Sequence, residues 1–226
     1  MRNRCVLVCL ALMLAGGGQL AEARRLSVTE TRFRVVLVPF TASGEGALGP
    51  VQAECNVTLV GSLHAATWAK TAGALIGHIH TASADRTTCD PTGGRLWILN
   101  GTEELAGSRT LNLLPWHIVY ASYSGTLPSI THVTVNLVGA AFLLQQTISE
   151  LFLVIEVRCL YRSTTTNPMV ARFSINEGLM GRVQIMEEAR VPLFSGGPNC
   201  PNPVTVGGTG PVTGLGISSV IAVRLI

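Results

Sequence analysis

The chain has 226 residues, a formal net charge of +3 and a mean hydropathy of +0.42, with 13% charged and 5% aromatic residues. Its arginines are scattered rather than gathered into a basic stripe, which speaks against a nucleic-acid binder. So few aromatics also argue against an outer-membrane barrel, whose rims are girdled with them.

The first segment has three parts. Arg2 and Arg4 precede an apolar run, Cys5–Gly18, and Ala21-Glu22-Ala23 follows as a small-x-small site. This is the layout of a secretory signal peptide over 1–23, leaving a mature chain of 24–226 as one domain. The run is short for a membrane span, and Gly16–Gly18 interrupt it. Val133–Leu144, the next most apolar stretch, is also short and contains Asn136, so no span is expected in the mature chain. Lys70 is the only lysine beside 15 arginines, a bias that hints at a GC-rich bacterial coding sequence.

Beyond residue 23 the sequence reads as short runs rich in Val, Ile, Thr and Leu, punctuated by Gly, Pro, Asn and Ser. Strands are expected over 32–41, 51–68, 74–83, 95–99, 114–123, 131–144, 150–161, 169–175, 182–193 and 217–225. At most a short helical turn is expected over 100–108. The Gly-rich Gly207–Gly210 is followed by Pro211 and reads as a turn. The C-terminal strand is expected to pair within the sheet, with 32–41 as a candidate partner. About ten strands without helices predict an all-β, antiparallel β-sandwich.

Four cysteines follow the leader: Cys55, Cys89, Cys159 and Cys200. An even number in an exported chain reads as two disulfides. The pairing Cys55–Cys89 with Cys159–Cys200 closes one loop in each half of the chain. No close C-x-x-C pair suggests a zinc site instead.

Ile76–Ala82 carries His78 and His80 two residues apart, on one face of a strand. In the preceding strand the odd positions from Ala53 to Leu63 are apolar, and the even ones are mostly polar and include His64. If the buried faces fix the parity of a hairpin between the two strands, His64 stands opposite His78 or His80. His64, His78 and His80 are therefore a candidate three-histidine zinc or copper site, with Glu54, Asp85 or Asp90 as supporting carboxylates. The same face is also where solvated residues belong.

Trp68, Trp97 and Trp116 are candidates for stacking on a sugar, core packing being the plainer use of large aromatics. Glu103–Glu104 and Glu187–Glu188 are strand neighbours that point to opposite faces, so neither pair forms an acid–base couple. No nucleophile elbow or phosphate-binding glycine loop is present, which points away from an enzyme and requires no cofactor. The expected role is structural or binding, at the cell envelope or outside the cell, with an envelope component, glycan or protein as partner. Metal binding and carbohydrate binding are the alternatives.

Overall fold

The computed structural model describes residues 25–89, 95–97, 104–105, 109–110, 113–126, 129–150, 153–216 and 219–226. The expected leader lies outside them, as do Asp90 and most of 100–108. The side chains of Trp97, Glu187 and Glu188 are outside them too.

The described residues are nearly all strand. In chain order these are β1 (Arg25–Val28), β2 (Arg32–Gly46), β3 (Gly49–Leu63), β4 (Thr67–Ala69), β5 (Leu75–Asp85), β6 (Arg95–Trp97), β7 (Glu104–Leu105), β8 (Arg109–Thr110) and β9 (Trp116–Ser124). Then follow β10 (His132–Val138), β11 (Ala141–Glu150), β12 (Leu153–Arg162), β13 (Met169–Asn176), β14 (Leu179–Val191), β15 (Leu193–Gly196), β16 (Val204–Gly214) and β17 (Ile221–Leu225). A single 3-10 turn, Arg86–Thr88, is the helical element among the described residues.

Every described pairing is antiparallel. The main sheet runs β13-β10-β9-β5-β3-β2-β16-β14, and β13 also pairs β14. That last pairing closes these eight strands into a ring, taken up in chain order. β17, β1 and β4 extend the sheet as a strip from β14. A second sheet, β15-β12-β11-β6, shares the barrel's core through Phe142, Leu144, Cys159 and Tyr161. Phe142 stands edge-on to Phe40 of β2 at 5.9 Å and stacks on Tyr161 at 5.5 Å. Sheet-on-sheet packing is thus realised largely by one sheet closing on itself, a solution that removes strand edges. The expected all-β, antiparallel architecture is met, in a large sheet closed on itself with a four-stranded sheet packed against it.

Alternation sets the core. Phe33, Val35 and Leu37 of β2, Val57 and Leu59 of β3, Ile118 and Tyr120 of β9, and Val183 and Ile185 of β14 point inward and are buried. The outward positions between them are polar or half-buried. Apolar inside and polar outside is the reverse of a lipid-facing barrel. Among the described residues no helix is long and apolar enough to cross a membrane.

Several expected boundaries shift. The run 51–68 is two strands: β3 ends at Leu63, and Trp68 lies on β4, paired to β1. The run 131–144 also divides, at Gly139, whose φ of 78° suits a residue without Cβ. There the chain leaves the barrel (β10) for the second sheet (β11). The last strand, β17, pairs β1 and β14, not β2.

Gly207–Gly210 is the clearest correction, because it is the middle of β16 rather than a turn. β16 lies between β2 and β14, and its register with β2 breaks between Gly208 and Val212. On the facing strand, β2 is irregular between Leu37 and Phe40, around Pro39, which has no N–H to give the ladder. The two backbones press together there, so that a Cβ on Gly210 would collide with the Val36 carbonyl.

Both expected disulfides are formed, Cys55–Cys89 and Cys159–Cys200. Asp85 shapes the turn that delivers Cys89. Its Oδ1 accepts from Thr87 N and Thr87 Oγ1 at 3.0 and 2.7 Å, and Thr88 Oγ1 donates to its carbonyl. Those bonds hold the Asp85 carboxyl below its ordinary pKa.

Candidate functional site

The histidines gather on the outside of the barrel where β3, β5 and β9 meet. Ser62 pairs with His78, so the register is two residues from one of the expected pairings and four from the other, and His64 lies just past the end of β3. Its backbone N–H still donates to Ile76 O at 2.9 Å. This diagonal placement brings the rings together, with His64 Nε2 2.8 Å from His78 Nδ1. One nitrogen donates and the other accepts, a bond that two neutral rings can form.

His80 does not join them. The β3–β5 register shifts between Val60 and Gly61, which pair with Thr81 and Ile79 and leave His80 as the extra residue of a bulge. Its Nε2 lies 2.6 Å from Ser62 Oγ. The third ring of the row is His117 on β9, the direct cross-strand partner of His78, with ring centroids 4.9 Å apart. The observed row is therefore His64–His78–His117. The sequence does not single out His117 as a site residue. The H-x-H pattern could not point to it, because the β5–β9 pairing is long-range.

His78, in the middle, is half-buried, while His64, His80 and His117 are exposed. Burial, and then repulsion from His64, His117 and His80 in that order, holds its pKa below the ordinary 6.5. His78 is thus biased toward neutral imidazole, the form that ligates metals. Among the described residues, however, no three His, Cys, Asp or Glu side chains are poised around one ion position.

The two described candidates for supporting carboxylates, Glu54 and Asp85, are elsewhere. Asp85 is committed to its turn, and Glu54 on β3 pairs with Thr41 of β2. Ten residues of extended strand, ~33 Å at the usual rise, separate Glu54 from His64.

Trp68 and Trp116 do not form a stacking platform between them. Trp116 points into the barrel and is 2% exposed, so its ring offers no face to a sugar. Trp68 is half-buried and lines an apolar cavity of about 30 Å³ with Phe33, Ile76 and Ile118. Both indole N–H groups are buried without an acceptor. The Trp97 side chain lies outside the described residues.

No family model matches the chain, and no curated protein or solved structure is detectably similar to it.

Proposed function

We propose that this chain is an exported, non-enzymatic β protein with a structural or binding role at the cell envelope or outside the cell. The observation that carries this reading is the pair of disulfides, each tying a core strand to a neighbouring turn. Such bonds persist in oxidising compartments and are rare where glutathione keeps thiols reduced. Expression of the full chain with its leader tests it. The expected product starts near residue 24, lies outside the cytoplasm and has no titratable thiol. A full-length, reduced, cytosolic product would overturn it.

A second reading is supported by the histidine geometry, namely that the outer face binds a divalent transition metal. An ion at the usual ~2.0–2.1 Å from both His64 Nε2 and His78 Nδ1 would see those nitrogens roughly 85–90° apart. That angle suits adjacent positions of a tetragonal copper(II) centre better than the tetrahedral angle of zinc. His117 is a further imidazole of the row, its ring centroid 4.9 Å from that of His78. Titration with copper(II) and zinc(II), followed by electron paramagnetic resonance and calorimetry, tests it. Expected are one copper per chain, nitrogen hyperfine structure and weaker zinc binding. Copper binding unchanged in His78→Asn would refute the assignment.

A further inference from the structure

A different face of the barrel carries a group of cations that has no ion-pair partner among the described residues. On β10, β13, β14 and β16 two outward rows run side by side. Thr134, Arg172, Gln184 and Thr209 form one, and His132, Ser174, Arg182 and Pro211 the other. Between them lies a cleft of about 260 Å³ lined by His132, Arg172, Ser174, Arg182, Gln184 and Thr209. The Ser174 hydroxyl bridges the strands: it donates to Arg182 O and accepts from Arg182 N, each at 3.2 Å. Thr209 Oγ1 donates to Val183 O at 3.1 Å. The floor is thus tied down by its own side chains.

Arg172 and Arg182 are diagonal neighbours, which puts their Cβ atoms ~7–8 Å apart on the same face. Neither forms an ion pair among the described residues, where the ion pair present is Arg158–Glu156 on another sheet. Both guanidinium groups extend from exposed positions of this one face. The guanidinium fork is matched to planar or tetrahedral oxyanions. A second cleft, of about 400 Å³, also includes Arg172 and continues along the barrel to Arg190. The cations therefore extend along a line rather than ending at one point.

We infer that this double cleft binds a linear acidic polysaccharide, seating a sulfate or carboxylate group between Arg172 and Arg182. The oxyanion chemistry stands on the cleft alone, while the choice of an extracellular polymer rests on the proposed export. Heparin serves as the sulfated probe, neutral dextran as the uncharged polymer and sodium sulfate as the free ion. Arg172→Gln/Arg182→Gln is compared with Arg34→Gln/Arg224→Gln, which removes the same charge from exposed positions on β2 and β17. Heparin is expected to bind and dextran not to. The cleft pair should weaken heparin binding at least about tenfold, as expected for two lost charge-assisted contacts, and the control pair far less.

Equal losses in both pairs would reduce the effect to net charge and overturn the site. Absence of heparin binding to the wild-type chain would overturn it as well. Sulfate that raises the melting temperature of the wild type but not of Arg172→Gln, without any heparin binding, would overturn the polymer as occupant. A chain that binds heparin through the cleft and yet stays in the cytosol would refute export and leave the oxyanion site standing. Melting curves of every variant separate loss of binding from loss of folding.

Discussion

His78 has the most constrained environment of the described histidines. Its neighbours across both flanking strands, His64 and His117, and the bulged His80 all become cations on protonation, and the protein half-covers its ring. Its folded pKa is therefore lower than its unfolded one. As pH falls through the ordinary histidine value, the unfolded chain takes up this proton first. Stability is then full above about pH 6.5, declines below it and stops declining beneath the folded value. Urea midpoints measured from about pH 8 to about pH 5 should fall more for the wild type than for His78→Asn. The lowered Asp85 acts separately, because its contribution is lost only in the acid range of carboxylates. Equal slopes in the two proteins would show that the row is too well hydrated to matter. The sequence placed His78 in this site because the polar face of β3 and the H-x-H pattern are local signals. It could not place His80 on a bulge or bring in His117, since both depend on strands that meet only after folding.

Among the elements, the crossing from barrel to second sheet depends on one hydroxyl. Ser163 is 2% exposed, and its Oγ donates to Leu137 O at 2.8 Å while accepting from Ala140 N at 2.9 Å. Its backbone adds N–H to Ala140 O at 2.8 Å and accepts from Gly139 N at 3.0 Å. Four bonds thus fix the turn between β10 and β11. In Ser163→Ala the Leu137 carbonyl loses a donor and the Ala140 N–H loses its acceptor, in a place water does not reach. The expected cost is about 2–4 kcal/mol by chemical denaturation, the sum of two buried groups left short of partners. A loss below about 0.5 kcal/mol, the range of an ordinary surface substitution, would contradict this account of the turn. The turn is hard to read in the sequence, because Val133–Leu144 is apolar apart from Thr134 and Asn136, and only Gly139 marks the break. β16 was misread for the converse reason. Gly-Gly and Gly-Pro are turn signals in isolation, and here they serve the close approach of a strand to the irregular stretch of β2.

For the whole molecule, both disulfides lie near the region where the second sheet meets the barrel. Cys55 pairs across from Phe40, and Phe40 touches Phe142 of that sheet. Their loops close over sequence separations of 34 and 41 residues. The chain-entropy model gives roughly 4 kcal/mol for each loop of that size, and measured losses are typically ~2–4 kcal/mol. A domain's entire stability is about 5–15 kcal/mol. Removing one staple should therefore leave a folded protein with a lower midpoint, and removing both should consume most of the margin. Cys55→Ala/Cys89→Ala and Cys159→Ala/Cys200→Ala are each expected to unfold in one transition, seen alike by tryptophan fluorescence and circular dichroism, because barrel and second sheet share one core. The fourfold variant is expected to be marginal or unfolded at 25 °C. If it kept the stability of the oxidised protein to within about 1 kcal/mol, the barrel would need no oxidising compartment to persist. Export would then have to be argued from the leader alone.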